Sequence, residues 1–359
     1  MARLRGAALL LVAPGAALVL ALSVATGILA LAGADPLATL RDALAYGLEP
    51  ATLLAITNKA LPYYLAGIAA AVGFHLRLFN IGIDGQYRLA AFAAAVVGAA
   101  VTLPPPLHIA LMILVAIAVG WGWAAIAGLL YVRRGVNVVI STIMLNAVAT
   151  GIIAYLLSPL RLAQQAAGSN NVTTATIPES GWLPAIPTPA GDVNGAVLLA
   201  MLVGLGYWVV LNRTTIGFEV RAMGLAGRAA TVAGMRSGRL ALLTMAASGA
   251  IAGLVGIPQL LGATHRFGLE FPAGLGFTGL SVAILGRNHP VGVAIAAFVW
   301  AFLERSAQVL DLAGVSREVV TILQAVIVLS IVVAYELVRR VEVRRERLSV
   351  ARAVEGAPA

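Results

Sequence analysis

The sequence predicts an all-α fold: a polytopic integral membrane protein of about ten transmembrane helices. Three observations carry that reading. Of the 359 residues, 60% are apolar and 11% charged, against roughly 45–50% and about 25% in soluble domains. The apolar residues gather in runs of the roughly 20 residues that a bilayer requires. The basic residues between those runs fall mostly on alternate connections, as they do in membrane proteins. A mean hydropathy of +0.95 argues against a soluble enzyme, a disordered chain and a nucleic-acid-binding domain. Cysteine is absent, which excludes disulfides, thiolate metal sites and cysteine nucleophiles.

Taken in order, the spans are expected near 7–32, 52–73, 85–103, 107–131, 137–157, 194–211, 240–262, 272–286, 290–309 and 319–338. The first begins Met1-Ala2-Arg3-Leu4-Arg5, like a signal peptide. Its apolar run outlasts the roughly 7–15 residues of a signal core, so a retained anchor is expected. The eighth is short and glycine-rich and reads as broken or only partly crossing.

With the N-terminus inside, segments 1–6, 74–88, 132–136, 212–239, 286–290 and 338–359 hold 18 arginines. The outer segments 33–50, 158–192, 264–270 and 310–318 hold four. This asymmetry places both termini in the cytoplasm. It also accounts for the net charge of +9 without any nucleic acid. The domain reading is one transmembrane unit, 1–359. It carries a cytoplasmic loop at about 212–239, an extracytoplasmic loop at about 158–192 and a cytoplasmic tail at about 339–359. The outer loop is polar, with Gln164, Gln165, Asn170, Asn171 and prolines at 178, 184, 187 and 189, and reads as a cap or a plain connector.

Three motifs stand out. Phe79-Asn80-Ile81-Gly82-Ile83-Asp84-Gly85-Gln86 lies between two spans. It is either a broken-helix element, whose backbone must be buried in protein or face water, or a polar turn flanked by Arg77 and Arg88 snorkelling to headgroups. Asn137-Val138-Val139-Ile140-Ser141-Thr142-Ile143-Met144-Leu145-Asn146 places amides in a span, as interhelical glue or as pore lining. Gly274-Leu275-Gly276-Phe277-Thr278-Gly279 permits close helix approach and precedes the turn Arg287-Asn288-His289-Pro290.

In the inner loop Gly224, Gly227 and Gly234 bracket a short helix from Leu225 to Ala233. It sets Leu225, Ala229 and Val232 on one small apolar face, with Arg221 and Arg228 seven apart. Such a helix suits a groove on a partner, or an anionic lipid surface. No phosphate-binding Gly-x-x-x-x-Gly-Lys-[Ser/Thr] occurs. The histidines at 75, 108, 265 and 289 are scattered, so neither an ATP site of that kind nor a metal site is expected. Glu304-Arg305 reads as an interfacial anchoring pair.

The motif at 79–86 resembles the Phe-Asn-Ile-Gly-x-Glu-Gly-Gln signature of bacterial ABC-transporter permeases for nucleosides and simple sugars. These belong with the ribose and branched-chain amino acid permeases. The resemblance extends through Val138–Asn146, the Arg221-Ala222-Met223-Gly224 run with Ala229-Ala230 and Gly234-Met235, and 281–290. It thus covers roughly residues 50–335. Asp84 stands where these permeases usually carry Glu, and Ala226-Gly227 where Asn is frequent.

The resemblance implies a type II importer-like permease in the inner membrane, non-catalytic and without a cofactor of its own. ATP is used by a separate ATP-binding subunit. A second permease chain, often a different one in nucleoside systems, and an extracytoplasmic solute-binding protein complete the importer. The substrate pathway is expected at Asn80, Asp84, Gln86, Asn146 and Thr278. ATPase coupling is expected at Arg221, Gly224, Leu225, Arg228, Ala229, Ala230 and Gly234. A neutral, hydroxyl-rich solute suits such a site, because uncompensated charge in the bilayer is costly. The rival reading, an ion-coupled secondary transporter, requires intramembrane ion-coupling residues and usually internal repeats.

Overall fold

A computed structural model describes residues 35–165 and 171–312 continuously, with scattered positions at 19–33 and 318–340. The spans expected at 7–32 and 319–338 and the tail at 339–359 lie largely outside the described residues. Two units are distinguished: residues 1–49 with 302–359, and residues 50–301.

In the first unit a helix, α1 (Pro36–Gly47), occupies what the sequence presented as an outer segment. Asp35 caps it, accepting from the amides of Leu37 and Ala38, and Pro36 fills the first turn, where no amide partner is needed.

In the second unit the chain runs through α2 (Pro50–Phe74), α3 (Ile83–Ala100), α4 (Pro105–Arg134), α5 (Val138–Leu156), α6 (Ala196–Arg213), α7 (Thr215–Val232), α8 (Ser237–Gly253) and α9 (Leu275–Leu285). α10 (Pro290–Leu312) follows. Helical backbone continues beyond α8 to Thr264, giving 28 helical residues. Among the described residues, α4, α5, α6 and the extended α8 are long and apolar enough to cross a membrane. α4 to α6 present apolar side chains outward, among them Leu114, Trp121, Ile140 and Leu202. α2 and α3 are instead enclosed: Leu65, Ile68, Tyr87 and Ala91 are fully buried. The eighth expected span appears as α9, whose 11 residues reach about 16 Å, half of a hydrocarbon core of about 30 Å.

Small residues set the helix crossings. A β-carbon at Gly120 of α4 would strike the carbonyl of Gly249, and one at Gly253 of α8 the carbonyl of Ala116. These helices therefore meet backbone to backbone, where dispersion and packing hold them without a hydrophobic drive. Gly279 of α9 lies equally close to Ala66 of α2. α4 ends on Gly135 (φ 66°), whose left-handed backbone lets its amide return to Leu130 and Tyr131. Asn137 then caps α5 by accepting from Val139.

The loop 158–192 is not wholly irregular. β1 (Gln164–Gln165) pairs with β2 (Val172–Thr173), and β3 (Ala185–Thr188) with β4 (Gly191–Asn194), both antiparallel. Amides of Thr174, Ile177 and Leu183 donate to carbonyls of Phe267, His265 and Leu261, lacing this loop to the end of the extended α8.

Candidate functional site

Between α2 and α3, residues 75–82 are non-helical backbone, with Leu78, Asn80 and Gly82 buried and Arg77 and Phe79 exposed. Asn80 and Gln86 are fully buried. Their amides face each other in both directions. Asn80 Nδ2 donates to Gln86 Oε1 and Gln86 Nε2 to Asn80 Oδ1, each at 3.0 Å. Asn80 also donates to Ser248 Oγ of α8 (2.9 Å) and accepts from the Gly82 amide. Ser248 Oγ in turn donates to the Ala69 carbonyl of α2 (2.7 Å). Ser248 lies well inside α8, so the turn sits far from that helix's end. Non-helical backbone at such a depth is stable only with its polar groups satisfied within the protein.

Asn146 of α5 fastens the same turn. Its Oδ1 accepts from the Gly85 amide (2.9 Å) and its Nδ2 donates to the Ile81 carbonyl (3.0 Å). Asp84 joins two helix beginnings. It lies in the first turn of α3, and its Oδ1 accepts from the amides of Gly274 (2.8 Å) and Gly276 (3.4 Å) at the start of α9. One carboxylate thus faces the positive ends of two helices. Gly276 makes this possible, because a β-carbon there would stand 2.5 Å from the Asp84 nitrogen. Tyr87 Oη, donating to the Pro272 carbonyl at 2.6 Å, ties down the approach to α9. Four of the expected pathway residues therefore meet in one polar knot. Asp84 and Asn146 are half-buried, as is Thr278, one turn into α9.

The expected coupling helix differs from its sequence reading. α7 is broken at Ala226 (φ −143°, ψ 69°), so Leu225–Ala233 is not one helix. Gly224 and Gly227 flank the break and weaken helical backbone on both sides of it. Gly234 (φ 88°) closes the segment. Leu225, Arg228, Ala229 and Val232 are exposed, Leu225 at 83% and Val232 at 90%, while Ala230 is buried. Arg221 donates to Asn212 Oδ1 at 2.9 Å. Gly224 is seated on the His75 carbonyl, where any side chain would collide.

Sequence reasoning missed one group here. His75 Nε2 lies 2.8 Å from Tyr207 Oη, which itself donates to the Asn288 carbonyl (2.6 Å). The phenol proton is thereby committed, so the imidazole is the donor. Burial, and then the Arg221 charge, hold His75 below its ordinary pKa of 6.5. Asn288 and Arg287 both adopt left-handed backbone. This chain of contacts links α7, the turn after α2, α6 and the turn before α10.

A model described as "Branched-chain amino acid transport system / permease component" matches residues 52–332. The chain belongs to that family. It is an ABC-transporter permease, a transport subunit whose ATP is used by a partner. A guanosine ABC transporter permease protein of Bacillus subtilis is 33% identical over 77% of this chain and 80% of its own length. A glucose ABC transporter permease protein of Haloferax volcanii is 32% identical over 78% and 76%. A nucleoside ABC transporter permease protein of Lactococcus lactis is 28% identical over 84% and 85%. An inward-facing ABC transporter described as of metal-chelate type shares 16% identity, with a TM-score of 0.46, over 86% of this chain and 95% of that one. The ion-coupled reading is set aside by these relationships, since such a permease draws on ATP.

Proposed function

We propose that the chain is one permease subunit of an importer for a small, neutral, hydroxyl-rich solute, a nucleoside or a simple sugar. Three relatives named for guanosine, nucleoside and glucose transport support the solute class. In this reading residues 1–359 form one transmembrane unit with both termini in the cytoplasm, loop 212–239 inside and loop 158–192 outside. A second permease chain, identical or different, completes the pathway. An external binding protein delivers the solute at loop 158–192.

Asp84, Asn146 and Thr278 line the passage, and Asn80 and Gln86 hold its wall in shape. The ATP-binding subunit docks on the exposed side chains Leu225, Arg228, Ala229 and Val232. Arg221 and Ala230 brace that segment from within, and Gly234 terminates it. The contact of Gly224 with the His75 carbonyl carries the reading. His75 begins the turn that reaches Asn80 and Asp84, so motion of α7 arrives at the polar knot through a short, packed link.

The test is reconstitution of the permeases with their ATPase and binding protein in proteoliposomes. Ribosides or hexoses are expected to stimulate ATP hydrolysis and to accumulate inside, and Gly224→Val is expected to retain the ATPase while abolishing uptake. Stimulation only by branched-chain amino acids would refute the solute class. Normal uptake in Gly224→Val would refute the coupling route.

A further inference from the structure

A cleft of about 440 Å³ opens between α2, α6, α7 and α8, within the usual range of roughly 300–1,000 Å³ for ligand pockets. Its walls include Val203, Gly206 and Val210 of α6, Val220 of α7, and Leu243 and Ile251 of α8. Two of the polar side chains that reach it, His75 and Tyr207, are spent on each other and on the Asn288 carbonyl. A hydroxyl-rich solute loses more hydrogen bonds in such an apolar place than it can regain, so the cleft is no part of a polar passage.

Cationic residues adjoin its lining, and the Arg221 charge acts on the lining His75. Arg213 and Arg221 stand within two residues of the lining Leu211 and Val220, and Arg221 bonds to Asn212. The Arg213 guanidinium lies 5.4 Å from the Trp208 ring centroid. An arginine on a tryptophan at a helix end marks a bilayer interface. The cleft therefore runs from headgroup level into the apolar layer.

We propose that this cleft binds one acyl chain of an anionic phospholipid, with its phosphate at Arg213 and Arg221. The chain lies along Gly206, where a β-carbon would meet nothing within 4 Å, and its head-proximal part passes Ile216 and Val220 of α7. Lipid occupancy thereby bears on the same segment that holds the exposed residues 225–232. The proposal is independent of which solute is carried.

The chain's lack of cysteine makes a direct test simple. Val203→Cys, labelled with a benzophenone in the assembled transporter in phosphatidylglycerol-containing membranes, is expected to give a photoadduct of phospholipid mass. Native mass spectrometry of the purified transporter is expected to show one retained phosphatidylglycerol per copy of this chain, lost in Gly206→Phe. Arg213→Gln is expected to cut the preference for phosphatidylglycerol over phosphatidylcholine by about fivefold, the share of one interfacial charge near 1 kcal/mol. Unchanged lipid retention in Gly206→Phe, with that variant melting like the wild type, overturns the proposal. So does a cross-link from position 203 to another polypeptide, which would make the cleft a subunit contact.

Discussion

The polar knot around Asn80 and the broken helix around Ala226 invert the arrangement of a soluble protein. In the knot, the Asn80 and Gln86 amides are buried and Asn146 and Asp84 half-buried, and their hydrogen bonds run to one another or to backbone. In α7, leucine and valine stand almost fully exposed beside arginine. The first region has exchanged solvent for internal partners and is costly to disturb. The second leaves apolar surface uncovered, which in a monomer marks an interaction site. Residue polarity alone therefore says little here about which groups face inward. The bonding of the backbone next to each group says more, and this contrast can be broken from either end.

The largest effect is expected at Asn80. Asn80→Ala removes the partners of Gln86, of the Gly82 amide and of Ser248 at a fully buried position. Each buried group left unsatisfied costs about 1–3 kcal/mol, so a loss of about 3 kcal/mol or more is expected. It is read as a lower yield of monodisperse protein and an earlier thermal transition in detergent. An unchanged transition with uptake lost would instead make Asn80 a group that faces the solute.

Gly276→Ala is expected to cost about 2 kcal/mol, because its β-carbon meets Asp84 backbone rather than a side chain that can turn away. Gly122→Ala in α4 is the control. Nothing lies within 4 Å of a β-carbon there, and the added helix propensity is worth about 0.5–1 kcal/mol in favour of folding. Equal behaviour of the two variants in thermal unfolding would show that α3 and α9 do not begin against each other.

The same contrast explains what was legible in the sequence. Runs of Leu, Val, Ile and Ala place α2 to α6 and α8 to α10 within a few residues, because a bilayer leaves helix as the main way to satisfy backbone. α1 escaped because 12 residues with Arg41 and Asp42 resemble a polar connection, although Asp35-Pro36 is a helix-start signal. The motif at 79–86 was visible as polar and glycine-rich, but its two readings differed in orientation. Only the pairing of Asn80 with Gln86 and Ser248 reveals which amides turn inward. The break at Ala226 was hidden for a similar reason: alanine is the strongest helix former, and the flanking glycines are compatible with a continuous helix. The His75–Tyr207–Asn288 chain joins residues 132 and 81 positions apart, and no local pattern announces it.

At the exposed end of the comparison, Leu225→Asp and Val232→Asp are expected to shift stability by no more than about 0.5 kcal/mol, as for surface sites generally. The same variants are expected to lose most of the ATP-binding subunit on co-purification. If both retain it, the exposed apolar side chains of α7 serve something other than that subunit.

The smallest expected effect lies on the link between the two regions. His75 is held neutral by burial and by Arg221, below its ordinary pKa of 6.5. The unfolded chain therefore takes up a proton more readily than the folded one. Its contribution to stability is complete above pH 6.5 and is lost as the pH falls below that value toward the depressed folded pKa. His75→Gln keeps a donor for Tyr207 Oη but cannot titrate. Thermal transitions in detergent, measured across mildly acidic pH, are expected to fall less steeply in His75→Gln than in the wild type. Some slope should persist, since His265 is also held below its ordinary value by burial. Parallel curves would show that protonated His75 is accommodated without breaking its bond to Tyr207.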